Sequence, residues 1–275
     1  MPELPEVETV RRTLETLIIG KKINDVKVRW PKIIKQPDDV EQFRLLVIGQ
    51  TIQSIGRRGK FLKIVMNEIV LVSHLRMEGR YLVSNKEDEV DKHTHVIFSF
   101  TDGTELRYRD VRKFGTMHVF KLGEEEKDLP LSQLGPEPLS DQFTPDDLMA
   151  LFQRTTRKIK PVLLDQTVVV GLGNIYVDEA LFKAKIHPET AARSLNKKQV
   201  NELHQAIVET LKIAVNHGGS TIRSYVNSQG EMGMFQQQLA VYSRKGEPCS
   251  TCGNEILRIV VGGRGTHFCP TCQAN

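Results

Sequence analysis

The sequence predicts a multidomain α+β chain: an N-terminal helix and an antiparallel β-sandwich, then a helical domain, then a small cysteine-bearing ribbon. Three observations carry this. Apolar residues recur at helical spacing only at the start of the chain and in its second half. Between those stretches lie six short segments of alternating polarity. All four cysteines fall in the last 27 of 275 residues, a length that suits about two domains.

The first helix is marked by Val7, Val10, Leu14, Leu17 and Ile18, and Gly20 ends it. Within the opening "MPELPEVETV", Pro2 reads as the first helical residue, with Glu3 and Glu6 in the first turn. The strands follow as "DVKVRW", "FLKIVM", "IVLVSHL", "HVIFSF", "ELRYR" and "MHVFKL", with Asp102-Gly103 as a hairpin turn. Many short strands joined by turns suit an antiparallel sandwich. This block spans 1–121. Residues 122–142, rich in Pro, Gly and acid, read as a linker.

The block 143–237 is helical. Thr144-Pro145 is an N-cap followed by a first-turn proline, "KPVLLDQ" and "NIYVDEALFKA" continue, and "NKKQVNELHQAIVETLKIAVNHGG" ends at Gly218-Gly219. "STIRSYVNSQGEMGMF" is polar and glycine-bearing and reads as a mobile loop. Residues 238–275 read as a ribbon.

Composition excludes some classes. No run of about 18 apolar residues exists to span a membrane. The acidic start is unlike a secretory signal, so a reducing cytoplasm is expected. Net charge is only +4, but it is +5 over 1–121, −7 over 122–153 and +6 over 154–275. Two basic blocks suit the walls of a groove for a polyanion, although a solvated surface with an acidic linker has the same pattern.

The cysteines stand as C-x2-C, 16 residues, C-x2-C: Cys249, Cys252, Cys269 and Cys272. Two such knuckles can bring four thiolates to one tetrahedral Zn²⁺. The alternatives are two disulfides or a redox pair, against which stand the cytoplasmic signs and the doubled motif. A closed four-thiolate site has no open position, so the zinc would be structural. Arg264 lies at the tip of the ribbon turn, "GGRG", placed either to reach a phosphate or to sit in solvent.

Basic and aromatic residues interleave elsewhere. Lys60 follows a glycine in "RRGKFL", and "SHLRMEGRY" puts His74, Met77 and Glu78 at a strand end. In "RYRDVRKFGTM", alternation places Arg107 and Arg109 on one face, with Arg112 and Phe114 near the turn beyond. An arginine beside a loop-tip phenylalanine suits an intercalating wedge; Met77 and Phe114 would equally serve as core residues, and His74 as a structural histidine. "VVVGLGNIYVDE" is not a dinucleotide fingerprint, since Tyr176 replaces the last glycine. It reads as a glycine turn into a helix with Asn174 at the N-cap, an anion site or a plain joint.

Taken in order, "PELPEVE", "RRGKFL", "HLRMEGR", "RDVRKFG", "LGPEPL", "GLGNIYVDE", "GGST" and "CSTCG…RGTHFCPTC" resemble the bacterial formamidopyrimidine-DNA glycosylases nearly end to end. These are bifunctional glycosylases and abasic-site lyases that remove oxidised purines. The resemblance implies that Pro2, once Met1 is removed, is the nucleophile, with Glu3 as general acid/base and Glu6 helping to position the site. It implies phosphate binding and proton transfer for Lys60. It implies backbone contacts for His74, His93, Asn174, Tyr242 and Arg264, the last also close to the chemistry. Met77, Arg112 and Phe114 would fill the space of the extruded base, with Arg112 facing the orphaned cytosine. Glu78 and the loop Ser220, Thr221, Ile222, Arg223, Ser224 and Tyr225 would border and cover the damaged base.

The implied fold is a helix and β-sandwich, then a helix–two-turns–helix domain with the zinc ribbon. The implied partner is double-stranded DNA containing an oxidised purine, lying between the two domains and bound by a monomer. The related endonuclease VIII branch usually has glycine where this chain has Leu4, and lacks the Met77, Arg112, Phe114 set.

The chemistry also follows from the residues. A free α-amine titrates at about 7.7–8.0, so part of it is neutral at neutral pH. Its attack on the sugar would expel the base and leave an iminium, whose charge drives strand cleavage by elimination. Two other readings remain: a catalytically silent binder of damaged DNA, if Met1 is retained and Pro2 is an amide, and a zinc-ribbon interaction module, which leaves Glu3, Glu6 and Lys60 without a role.

Overall fold

The computed structural model describes residues 1–220 and 232–274. The chain divides into two compact units, Met1–Gln133 with Gly218–Met234, and Leu134–His217 with Phe235–Asn275. No described helix is long and apolar enough to cross a membrane.

The first unit opens with α1 (Leu4–Ile18), which buries Leu4, Val7, Val10, Leu14 and Ile18 as their spacing predicts. Its end is sharp because Gly20 sits at φ +79°, a conformation glycine adopts without strain. The start differs from expectation. Glu3 is the N-cap, so Pro2 lies outside the helix and Pro5 takes the first-turn place. The cause is a capping box in which Glu6 reaches back to the Glu3 N–H at 2.7 Å.

Nine strands follow: β1 (Ile23–Val28), β2 (Ile34–Gln36), β3 (Ile52–Arg58), β4 (Phe61–Met66), β5 (Ile69–His74), β6 (Arg80–Asn85), β7 (Thr94–Phe100), β8 (Thr104–Arg109) and β9 (Thr116–Lys121). One sheet has the order β1-β7-β8-β6 and the other β2-β9-β5-β4-β3. The pairing is antiparallel as expected, except that short β2 runs parallel to β9. Gly103 at φ +85° makes the β7–β8 hairpin turn.

Three strands and one helix escaped the pattern reading. The strands are β2, β3 and β6, and the helix is α2 (Val40–Val47), a short element capped by the Asp39 side chain, whose exposed Leu45 and Leu46 blur its period. Strand β5 is buried at every position instead of alternating, because it lies inside its sheet. The core joins both sheets and α1 through Leu14, Leu62, Leu71, Phe98, Leu106 and Met117.

The second unit has α3 (Pro145–Gln153), α4 (Ile159–Leu164), α5 (Asn174–Lys183) and α6 (Lys197–Asn216). Thr144 caps α3 and Asn196 closes a capping box on α6. Phe152, Tyr176, Leu181, Leu203 and Ile207 build one core from α3, α5 and α6. The ribbon is a hairpin of β10 (Leu257–Val261) and β11 (Arg264–Phe268). Gly262 and Gly263 both have positive φ, as a two-residue primed turn requires.

Candidate active site and nucleic-acid interface

At the start of α1, Pro2, Glu3 and Glu6 are all buried. The positive end of a helix dipole favours carboxylates there. Both oxygens of Glu6 are committed: Oε2 accepts the Glu3 N–H at 2.7 Å and Oε1 accepts the Ser220 N–H at 2.7 Å. Glu6 therefore ties the chain start to residue 220. Gly219 sits between them at φ +77°, and a Cβ there would lie 2.5 Å from Glu6 Oε1. Glu6 is thereby held next to Glu3, whose side chain accepts the Glu6 N–H in the same capping box. Thr221 to Tyr225 lie outside the described residues.

Lys60 is buried in the two-residue turn between β3 and β4, after Gly59 at φ +57°. Across the β4–β5 ladder Phe61 pairs with His74, and their rings meet edge-on at 4.5 Å. His74 Nδ1 accepts the Arg76 N–H at 2.9 Å, so the ring proton belongs on Nε2. Burial, then the charges of Arg76 and Lys60, hold its pKa down to about 3. His74 is a neutral N–H donor. His93 is half-buried just before β7, and its carbonyl accepts the Asp110 N–H at 3.0 Å.

Met77 and Glu78 occupy the turn after β5, closed by the Gly79 N–H on the Leu75 carbonyl at 3.0 Å. Arg112 and Phe114 lie in the loop joining β8 to β9, with the guanidinium 4.7 Å from the ring centroid. Met77 is 38% exposed and Phe114 51%, so neither is a core residue. They border a cleft of about 600 Å³ together with Trp30, Lys32, Lys35, Arg76 and Lys113. Lys113 Nζ stands 4.1 Å over the Trp30 ring. No acidic side chain lines this cleft among the described residues.

Arg107 shares a strand face with Arg109, as alternation predicts, but it adds no exposed charge there, because it is buried and bonded to Glu105 and to the carbonyls of Asn85, Asp88 and Glu89. Sequence reasoning also missed Trp30, Lys32 and Lys35, whose signal was the aromatic–basic run "RWPKIIK".

Asn174, Tyr242 and Arg264 belong to the second unit. Gly173 is the N-cap of α5, so Asn174 is the first helical residue and not the cap. Its amide donates to the Gly265 carbonyl at 2.8 Å, while its buried Oδ1 has no partner among the described residues. Gly173 takes the N-cap place in extended backbone conformation, with no side-chain cap. Arg264 is exposed at the ribbon tip. Tyr242 is half-buried, packed edge-on to His267 at 5.1 Å, and its N–H is held by Glu179 at 2.8 Å.

The four cysteine sulfurs lie within 4.8 Å of one another. Cys249–Cys272 and Cys252–Cys269 are 3.9 and 3.5 Å apart. A zinc tetrahedron with bonds of about 2.3 Å has edges of about 3.8 Å, so these residues fit Zn²⁺, whereas a disulfide needs about 2.05 Å. Burial, then crowding by the other sulfurs, pushes the Cys272 thiol up to about 12. A cation is what allows all four to ionise together.

A cation stacked on an exposed ring, above a cleft without acids, suits stacked bases and phosphates. Such a unit falls in the class of nucleic-acid-binding proteins. Comparison with known proteins supplies the family. Residues 1–117 match the formamidopyrimidine-DNA glycosylase N-terminal domain, 134–226 the formamidopyrimidine-DNA glycosylase H2TH domain, and 246–275 the zinc finger found in FPG and IleRS. The chain is 66% identical to the formamidopyrimidine-DNA glycosylase of Cytobacillus firmus, over 99% of this chain and 100% of that one. It is 64% identical to that of Bacillus licheniformis, over 99% of each. The solved structure of Lactococcus lactis Fpg with DNA containing an abasic site superposes with a TM-score of 0.93 at 43% identity, over 99% of this chain and 100% of that one. The chain belongs to the formamidopyrimidine-DNA glycosylase family.

Proposed function

We propose that this chain excises oxidised purines, 8-oxoguanine and formamidopyrimidines, from duplex DNA and then cuts the abasic strand by β,δ-elimination. As a member of its family it is a DNA repair glycosylase and abasic-site lyase. The observation that carries the mechanistic reading is the buried start of α1, where Glu3 and Glu6 flank the start of the chain and Glu6 is held by two N–H donors.

With Met1 removed, the Pro2 nitrogen is a secondary amine. It attacks the anomeric carbon, the carbon–base bond breaks, and the base departs with the electron pair and takes up a proton. Glu3 relays protons around the opening sugar. The resulting iminium acidifies the neighbouring carbon, so loss of its proton expels the 3′ phosphate, and a second elimination expels the 5′ phosphate. Lys60, His74, His93, Asn174, Tyr242 and Arg264 bind phosphates. Met77, Arg112 and Phe114 replace the extruded base, and Arg112 faces the orphaned cytosine, which offsets the cost of unstacking. Glu78 and the segment Ser220–Tyr225 contact the damaged base. The cysteine cluster holds one structural zinc ion. We place the activity in the bacterial cytoplasm, at the nucleoid, as a monomer.

Borohydride trapping tests this reading. Protein whose intact mass lacks Met1 should form a covalent adduct with duplexes containing 8-oxoguanine, and Pro2→Gly should trap far less. Absence of any adduct from processed protein would overturn the mechanism and leave a damaged-DNA binder. Stronger trapping on oxidised pyrimidine would favour the endonuclease VIII-like alternative, against which stands the gathering of Met77, Arg112 and Phe114 around one cleft.

A further inference from the structure

The loop that carries Arg112 and Phe114 has no strand or helix to hold it, yet a wedge works only if its tip keeps its place against the base stack. Asp110 supplies the hold. It has no exposed surface. Its Oδ1 accepts the Arg112 N–H at 3.0 Å, and its Oδ2 accepts the N–H groups of Phe114 at 2.9 Å and Gly115 at 2.8 Å. Three backbone donors converging on one carboxylate form an anion-centred turn, with bonds stronger than neutral ones. Lys113 adopts φ +59° inside it, a conformation that costs a non-glycine residue energy and persists only when its surroundings impose it. The Asp110 backbone is anchored as well, its N–H on the His93 carbonyl at 3.0 Å and its carbonyl against His95 Nε2 at 2.7 Å.

Tyr108 connects this loop to the Met77 turn. Its buried hydroxyl has no hydrogen-bond partner among the described residues. What surrounds it is glycine. A Cβ on Gly79 would lie 2.2 Å from that oxygen, and one on Gly115 only 1.7 Å. Gly79 closes the turn of Met77, and Gly115 closes the loop of Arg112 and Phe114. Both loops are thus packed onto one oxygen atom of one rigid ring, itself braced edge-on by Tyr81 at 5.1 Å.

We propose that Asp110 and Tyr108 are positioning residues for the wedge: Asp110 sets the shape of the Arg112–Phe114 loop, and Tyr108 sets its spacing from Met77. The inference rests on the wedge role given to Met77, Arg112 and Phe114 above. Both residues are fully buried, so each acts through the loops it holds.

Asp110→Asn removes the charge and turns one acceptor into a donor facing backbone N–H groups. Tyr108→Phe removes only the unpartnered hydroxyl and keeps the ring, so it remains informative if Asp110→Asn folds poorly. Each variant is assayed for excision of 8-oxoguanine opposite cytosine and opposite adenine, and for borohydride trapping on a single-stranded abasic oligonucleotide, which needs no extrusion. Misplacement of a positioning group is worth up to about a hundredfold, so Asp110→Asn should slow excision about tenfold or more while trapping changes less than about twofold. The cytosine-to-adenine ratio should move toward one in both variants, by less in Tyr108→Phe. Equal losses in the two assays, or an unchanged ratio in Tyr108→Phe, would overturn the inference and leave both residues as general fold supports. Failure of the functional reading itself would appear in the wild type, as no adduct on either substrate.

Discussion

In its buried place His74 is a neutral dipole and not a cation. Its Nδ1 is occupied by the Arg76 N–H, and burial followed by two nearby positive charges keeps the ring neutral. The stability consequence has a definite sign. The folded ring protonates near about 3 and the unfolded one near 6.5, so below 6.5 the unfolded state binds the proton that the folded state refuses. Stability is therefore fully present above pH 6.5 and is lost as pH falls toward 3. His118, depressed to about 4 mainly by burial, adds to the same trend. Thermal melts across this window should show the wild type losing stability with acid, and His74→Gln losing less.

The ribbon is mounted on the helical unit by a buried charge pair. Lys160 of α4 and Asp178 of α5 are wholly buried and 2.6 Å apart. Lys160 also donates to the Gly265 carbonyl at 3.1 Å, and Asp178 accepts the His267 N–H at 2.9 Å. Asn174 donates to the same Gly265 carbonyl, so three side chains of α4 and α5 fix the strand that begins at Arg264. Removing one partner of a buried pair leaves an uncompensated charge, so Lys160→Met should destabilise the protein by about 3–5 kcal/mol. Adding Asp178→Leu should restore only part of this, because the His267 N–H then loses its acceptor. Urea unfolding of the zinc-loaded protein measures both.

For the whole molecule, charge governs binding more than fold. The basic blocks of +5 and +6 supply cations for phosphates, and each one neutralised releases a counterion. Affinity for a damaged duplex should fall linearly in logarithmic salt, and Arg264→Gln should make the slope shallower by about 0.9. His74→Gln should weaken binding with no change of slope, because a neutral donor displaces no counterion. Fluorescence anisotropy over a salt series separates the two, and equal slope changes would show that His74 is charged in the complex.

Legibility followed range. The helices from Thr144 onward, the Asp102-Gly103 hairpin and the zinc ribbon were readable because periodicity, capping and cysteine spacing are local properties. The opening "PELPEVE" and the other motifs were likewise enough to indicate the family and the reaction. Other properties depended on which residues met across the fold. Arg107 and Arg112 belong to one basic run, yet β8 pairs with β6 and β7 on either side and buries the first as a loop brace, while the second reaches the surface. Glu3 and Glu6 look alike in sequence, and only the fold shows that Glu6 also accepts the distant Ser220 N–H. Asp110, Tyr108 and Lys160 showed no local signal, since a charge or hydroxyl acquires a structural role only from the donors and glycines that close around it. The residue types and their spacing thus named the chemistry, and the long-range packing assigned each side chain its part, because burial and partners are set by contacts distant in the chain.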